Sequence, residues 1–373
     1  MISVLELSAG VLMKKNERSL LLISVNNFYG GGEVHLRNLA RLLKDSCEIH
    51  TLVFDAQLAA DLESLGVTVH RISFFPRAMR LLQVVHAFCV LPALILKNRV
   101  RGVVVSGTVE TFLLMPAKIV GCRTISMRHL SPFVGRGSVL RKARRLLIEA
   151  VYGVGVLFAD QVVCVSEAVA EGMRKISLKK RIRVIPNWVP SIPETMARPE
   201  SRVPVRLLFV GRLEHHKGLH LLLSALKDAS NYELTVVGDG IEAEQLRKAA
   251  SGMAVHFKGF QADTAKYYRD ADIFIMPSLG PEGLPLVTLE AMSHALPCIL
   301  SDLPVHVDVS GGGNAAWLFE NGQVESLRTR LHNLVESSLE RNALGKRAYQ
   351  RVVERYSPAV AKEAYLQILA LSR

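Results

Sequence analysis

The sequence predicts an α/β protein of two domains, each a parallel sheet covered by helices on both faces, facing each other across a cleft. Three observations predict this. The length of 373 residues suits two domains at roughly 100–200 residues each. Short apolar runs alternate with amphipathic helical stretches, as expected of parallel strands buried on both sides. The alternation also starts twice, each time with a strand entering a glycine-bearing loop that opens a helix.

In the first half, residues 20–25 form an apolar strand, 26–32 a polar glycine-rich turn, and Leu36, Leu39, Ala40, Leu42 and Leu43 one face of a helix. Further buried strands are predicted at 49–54, 67–72, 102–105, 124–127 and 161–165. Residues 191–204 carry Pro and Ser without periodicity and read as a linker. The second half opens with strand 206–210, the loop from Gly211 to Lys217, and a helix through Leu219, Leu222, Leu223 and Leu226. Strand 233–237 precedes Gly238 and Gly240; strands 255–258, 273–276 and 298–300 follow, and a last helix covers about 357–371. The domains are therefore read as 20–192 and 203–356, with 1–19 as a loose extension.

With 49% hydrophobic and 21% charged residues, the chain is neither disordered nor fibrous. Its five cysteines are scattered and never spaced as CxxC, which argues against a disulfide framework or a Cys-rich zinc site and fits a reducing compartment. The most apolar stretch, 81–96, contains Gln83, His86 and Pro92 and is too short to span a bilayer, so it reads as a buried helix pair. Residues 1–19 carry their charges after the apolar positions, the reverse of a secretory signal, and the protein reads as cytoplasmic.

The net charge of +12 is unevenly placed: residues 1–195 hold 26 Lys+Arg against 14 Asp+Glu, whereas 196–373 hold 20 of each. On a helix from about residue 138, Val139, Leu140, Ala143, Leu146, Leu147, Ala150 and Val151 share a face, and Arg141, Lys142, Arg144 and Arg145 fill the other positions. Such a helix either rests on an anionic membrane and an acceptor held there, or packs on the core with a solvated basic face. The asymmetry of charge favours the membrane surface. Nucleic acid is not an expected partner, since aromatic content is 6% and no nucleic-acid-binding motif is present.

Open parallel sheets bind ligands beyond the carboxyl ends of their strands, where both glycine loops fall. Gly30, Gly31 and Gly32 allow a diphosphate or sugar to approach backbone amides, or simply make a tight turn. Arg212 and Lys217, just past a strand, can neutralise a departing diphosphate, or stand as surface charges. Glu282 and Glu290 are eight residues apart: Glu282 lies on a Gly/Pro loop and Glu290 in the helix after it. A carboxylate accepts two hydroxyl hydrogen bonds, so Glu290 suits the vicinal diol of a ribose and Glu282 a sugar hydroxyl, with the amides of Gly283 and Leu284 alongside. The bland alternative is a helix whose early acids favour its dipole. His215 and His216 point apart and form no metal site, and no metal-ligand spacing appears elsewhere.

These motifs, the Gly238–Gly240 turn and the glutamate–seven residues–glutamate spacing resemble the retaining glycosyltransferases of family 4, which have the GT-B fold. Weaker matches at 31–40, 165–169, 184–187 and 259–260 extend the resemblance over nearly the whole chain. The resemblance implies a nucleotide-diphosphate sugar as donor and no metal or other cofactor. It places Arg212 and Lys217 on the diphosphate, Glu282 on the sugar, Glu290 on the ribose and Phe260 beside the base. It also implies that His129 faces the donor sugar, that the acceptor enters from the first domain, and that helix 357–373 packs back on that domain. His35 reads as a packing residue. Two departures stand out: Pro186-Asn187-Trp188 where the family often has Pro-Asn-Gly, and residues 309–317 in place of a glycine- and proline-bearing motif.

The function so implied is hexose transfer with retention to a lipid-linked or polysaccharide-precursor acceptor, at the inner face of the cell membrane. The rivals are a nucleotide-sugar epimerase of the same fold and a non-catalytic membrane-associated scaffold.

Overall fold

The structure, a computed structural model, describes residues 19–26, 30–71, 80–130, 139–176, 182–194, 203–227, 229–280 and 282–370. The first domain runs β1 (Ser19–Ser24), α1 (Gly31–Leu43), β2 (Glu48–Val53), α2 (Ala56–Ser64), β3 (Thr68–Arg71), α3 (Arg80–Lys97), β4 (Gly102–Ser106), α4 (Leu114–Ile119), β5 (Arg123–Arg128), α5 (Val139–Val156), β6 (Gln161–Cys164), α6 (Glu167–Ile176) and β7 (Ile182–Val184). The second runs β8 (Val205–Val210), α7 (Leu219–Leu226), β9 (Tyr232–Val237), α8 (Ala243–Ala249), β10 (Val255–Phe257), α9 (Ala265–Asp270), β11 (Ile273–Met276), α10 (Leu286–Ser293), β12 (Cys298–Ser301), α11 (Pro304–Ser310), β13 (Trp317–Phe319), α12 (Val324–Glu336) and α13 (Ser338–Arg355), before α14 (Pro358–Ala370).

The strands form two sheets, ordered β3-β2-β1-β4-β5-β6-β7 and β10-β9-β8-β11-β12-β13. Every pairing is parallel. Central strands such as β1, β4, β11 and β12 are buried at every position, which is why their sequences are continuous apolar runs rather than alternating ones. The predicted two-sheet GT-B class is therefore the observed one. Two three-residue edge strands, β7 and β13, escape sequence reading, whereas the equally short edge strand β10 falls within the predicted run 255–258.

Residues 81–96 do not form a helix pair. They lie in one helix, α3, with Pro92 inside it. An interior proline costs about 3 kcal/mol, and burial of Val84, Ala87, Leu91 and Ile95 along one face offsets it. Nor is α3 wholly buried, since Leu82, Val85 and Leu96 are exposed. Among the described residues no helix is long and apolar enough to cross a membrane. The extension shortens by one residue, because Ser19 already pairs in β1; residues 1–18 and most of the 191–204 linker lie outside the described residues.

Helix α14 packs on the first sheet: Ala361, Tyr365 and Ile368 share a core with Leu20, Leu22, Leu36 and Leu39. Trp188 is 2% exposed in the same core. Its ring makes edge contacts with His35 at 4.9 Å and Tyr365 at 5.6 Å between centroids. The departure from Pro-Asn-Gly thus has a physical reason, since the indole fills the space between α1 and α14.

Candidate active site

The loops at the carboxyl ends of β8, β9, β10 and β11 lie side by side because those strands are neighbours. Glycine sets their spacing. Gly238 has φ 136°, and a Cβ there would sit 1.9 Å from the carbonyl oxygen of Gly211. Gly218 has φ 72°, and its Cβ would sit 1.9 Å from the oxygen of Pro277. A 3₁₀ turn over His215–Lys217 ends at that glycine, so the close approach carries Lys217 onto the loop after β11.

There Lys217 Nζ meets Glu282 Oε1 at 2.6 Å, with the two side chains 12% and 10% exposed. Ser278 Oγ donates to the same oxygen at 2.8 Å. Behind it, Ser301 Oγ donates to the Ser278 carbonyl at 2.7 Å, and His306 Nδ1 lies 2.9 Å from the Ser301 carbonyl. Glu282 is thus held from two sides and backed by a buried polar chain. Burial lowers the His306 pKa, so its ring is a neutral member of that chain.

Arg212 is placed differently. Its side chain is 68% exposed and pairs with Glu214 at 2.5 Å, not with Glu282. The surroundings of His216 nevertheless link these charges. Its pKa is lowered by burial and then by Lys217, with Glu282 and Glu214 opposing and Arg212 adding to the lowering. Phe260 follows Gly259 past β10 and is 72% exposed, its ring open to a ligand. Glu290, on α10, accepts from Tyr268 Oη at 2.9 Å and makes no bond to the Lys217–Glu282 pair. Burial raises its pKa, opposed by the Tyr268 hydroxyl and by the charge of Arg37, which belongs to α1 of the other domain.

The first domain supplies the opposite wall. Glu33, 1% exposed, accepts from Ser24 Oγ at 3.0 Å, Asn26 Nδ2 at 2.7 Å and the Gly30 amide at 3.0 Å, which fixes both ends of the glycine turn. A Cβ on Gly31 would meet nothing within 4 Å, whereas one on Gly32 would lie 3.7 Å from the His129 ring and from Ser106 Oγ. His129, just past β5, has Nε2 2.9 Å from Ser106 Oγ. Burial, and then the charges of His35 and Arg128, push its pKa down to about 3. At neutral pH it is a hydrogen-bonding group rather than a cation.

The two walls touch. A Cβ on Gly283 would sit 1.9 Å from the His129 carbonyl oxygen, and Asn187 Nδ2 donates to the Leu284 carbonyl at 2.7 Å. A cavity of about 240 Å³ beside Glu282 is lined by Glu171 and Lys175 of α6 together with Pro304 and Val305 of α11. The fold thus brings Lys217, Glu282, Gly283, Leu284, Gly32 and His129 to one interdomain seam, with Gly238 behind it, Glu290 on helix α10 and Phe260 on the loop after β10. The side chains of Arg141, Lys142, Arg144 and Arg145, on the first two turns of α5, lie outside the described residues.

Sequence reading missed Glu33, Ser278, Tyr268 and Asn187. Glu33 three residues past Gly30 is a capping-box signal and was legible. Ser278 meets Glu282 four residues along the same loop, a contact its loop conformation sets, whereas the partners of Tyr268 and Asn187 lie on other elements, so only tertiary contacts reveal them.

Two parallel-sheet domains that meet at the carboxyl ends of their strands, with a Lys–Glu pair on one wall and a neutral imidazole on the other, define a GT-B architecture. Residues 197–351 match the family model for glycosyl transferases group 1, and residues 29–191 that for glycosyltransferase family 4. The chain belongs to this family of glycosyltransferases. It is 27% identical over 220 residues to the lipopolysaccharide core biosynthesis glycosyltransferase LpsE of Rhizobium meliloti, covering 57% of this chain and 64% of LpsE. It is 32% identical over 184 residues to the phosphatidyl-myo-inositol mannosyltransferase of Mycobacterium leprae, covering 45% of this chain and 48% of that protein. In each case the match spans less than two thirds of the relative's length. Among solved structures, Anabaena HepE in complex with UDP-glucose superposes with a TM-score of 0.78 at 17% identity, covering 94% of this chain and 99% of that one; this likeness concerns the fold.

The buried histidines predict a pH dependence of stability. Burial lowers the His35 pKa to about 4, against about 6.5 in an unfolded chain. A depressed histidine lends stability above the unfolded pKa and loses it as pH falls, because the unfolded chain takes up the proton first. Between pH 7.5 and 5.5 His35 should cost about 1 kcal/mol of stability, and His129 acts in the same direction. Urea unfolding at the two pH values checks this, and the difference should shrink in His35→Asn. An undiminished difference in that variant would place its source elsewhere.

Proposed function

We propose that this chain transfers a hexose from a nucleotide-diphosphate sugar, with retention of anomeric configuration, to a lipid-linked or polysaccharide-precursor acceptor. The observation that carries the reading is the Lys217–Glu282 contact at 2.6 Å, opposite His129 on the facing domain. A bound donor exchanges this contact for its own charges. Lys217, joined by Arg212 as its exposed side chain swings inward, holds the diphosphate. Glu282 accepts a hydroxyl of the sugar, Glu290 the ribose hydroxyls, and Phe260 flanks the base. The bond from the anomeric carbon to the diphosphate oxygen breaks as the bond to the acceptor oxygen forms on the same face. The acceptor proton passes to the departing diphosphate oxygen. Lys217 supplies the fixed positive charge for that leaving group, and no metal or cofactor enters the scheme. His129 hydrogen-bonds the sugar as a neutral ring. Closure of the domains excludes water and limits hydrolysis.

The acceptor half rests on three supports. The two relatives are named for lipopolysaccharide core biosynthesis and for mannosyl transfer to phosphatidyl-myo-inositol. The basic excess of the chain lies in the first domain. The same domain leaves Leu82 and Val85 on α3, Leu130, and Leu146 and Leu147 on α5 exposed, and in sequence the two α5 leucines directly follow the basic run 141–145, a combination that suits an anionic bilayer. We therefore assign the protein to the cytoplasmic face of the membrane as a peripheral enzyme.

Incubation of radiolabelled UDP-, GDP- and ADP-sugars with membrane lipid extract tests the proposal. The expected result is a labelled lipid or glycan whose new linkage has the donor's anomeric configuration. Conversion of the donor without any acceptor would instead identify an epimerase, and binding without turnover a scaffold. Sedimentation with anionic vesicles should retain the protein at low salt and release much of it at high salt; no sedimentation at low salt would discard the membrane surface.

A further inference from the structure

We infer that Asn187 and His35 form a latch that holds the Glu282–Leu284 loop against the first domain, and that both are positioning residues for the transfer step; this rests on the reading of Glu282 proposed above. The latch is a run of buried hydrogen bonds through four separate elements. Asn187 Nδ2 donates to the Leu284 carbonyl at 2.7 Å. Asn187 Oδ1 lies 2.7 Å from His35 Nδ1 on α1, and His35 Nε2 lies 3.2 Å from Tyr365 Oη on α14. Asn187, His35 and Tyr365 are 7%, 2% and 1% exposed.

The chemistry gives the run one direction. The Leu284 carbonyl only accepts, so the Asn187 amide nitrogen faces it and its oxygen faces His35. That oxygen in turn requires N–H on His35 Nδ1. Burial keeps the ring neutral, with a pKa near 4, so Nε2 carries a lone pair and accepts from the Tyr365 hydroxyl. Each donor meets an acceptor, and reversing any single group leaves a buried pair mismatched. Trp188 packs its edge on both His35 and Tyr365 and closes the run from water.

Only one link in this run crosses between the domains, and it ends two residues from Glu282. It exists when the domains are closed and is absent when they part, so it favours the closed arrangement selectively. Gly283 lies between Glu282 and Leu284, its backbone against the carbonyl of His129. Fixing Leu284 therefore fixes the register of the loop against His129, and a misplacement of about 1 Å in such a site costs roughly a hundredfold in rate.

Three variants test the latch. Asn187→Asp keeps the shape and the acceptor for His35 but turns a carboxylate oxygen onto the Leu284 carbonyl. His35→Leu removes the donor to Asn187, whereas His35→Asn keeps an N–H near the place of Nδ1. The expected result is a 10- to 100-fold fall in kcat for Asn187→Asp and His35→Leu, with calorimetric affinity for UDP-glucose within about threefold of the wild type. His35→Asn should keep kcat within about threefold. X-ray scattering without ligand should show a larger radius of gyration for Asn187→Asp than for the wild type. Unchanged kcat and scattering in Asn187→Asp, or equal losses in His35→Leu and His35→Asn, would overturn the latch. Should Asn187→Asp not fold, the His35 pair decides alone. A wild type that neither binds nor transfers any nucleotide sugar would overturn the functional reading, while the ligand-free scattering would still decide the latch.

Discussion

Lys217→Ala and Glu282→Ala should each lower transfer by about 10³-fold or more while leaving both domains folded. The expectation follows from what each group does as charge develops. A fixed cation aimed at a leaving group, or a donor aimed at developing charge, is worth about 10²–10³ in rate, and a buried site of low polarity strengthens it. Removing Lys217 also leaves Glu282 at 10% side-chain exposure with Ser278 as its one hydrogen-bond partner among the described residues. Some loss of stability is therefore expected from Lys217→Ala, of about 1–3 kcal/mol. Glu282→Gln separates charge from shape, since its amide can still accept from Ser278 and Lys217. It should bind donor nearly normally and transfer slowly. Steady-state kinetics with thermal melting as the control decide the matter, and wild-type turnover in both alanine variants would reject the assignment of this site.

Gly283→Ala is the second large effect expected. A methyl group at this position has to occupy space 1.9 Å from the His129 carbonyl oxygen, an approach that no Cβ makes. The backbone there belongs to a different domain, so the core of neither domain is disturbed. Relief comes by opening the seam. Transfer should fall about 100-fold in kcat, as expected of a displacement near 1 Å, with the melting temperature changed by only a few degrees. The contrast with Gly218→Ala is informative: that Cβ would strike Pro277 within the second domain, at φ 72°, so it should destabilise the domain itself. Gly283→Ala with wild-type kcat would mean that the contact seen here does not belong to the reactive arrangement.

The legible part of the site was what a local segment can encode. Glu282 announces itself because a charged residue beside a Gly-Leu-Pro turn serves no helix or strand, Glu290 by its eight-residue spacing from Glu282 in the helix that follows, and Lys217 because it stands between a strand end and a glycine. Arg212 carried the same signal, yet its side chain points to solvent and Glu214, because a loop position says nothing of the rotamer. The exposure of Leu146 and Leu147 was equally hidden. Their helical spacing fits a core and a membrane face alike, and only the packing of α5, through Tyr152 and Gly155 against its neighbours, decides which side is covered. The single helix at α3 ran against a local rule for the same reason, as proline's cost is local and the burial that offsets it is not.

By itself, the sequence determined the two sheets, their strand polarity, the glycine turns at the strand ends and most of the charged groups beside them. Each follows from near-neighbour periodicity and from the backbone freedom of single residues. Tertiary structure alone decided that Lys217 meets Glu282, that Gly283 abuts His129, and that Asn187 links His35 to Leu284. Those contacts join residues dozens to hundreds of positions apart. Hydrogen bonds and steric gaps of a few ångströms depend on how whole sheets dock, a relation that no window of neighbouring residues contains.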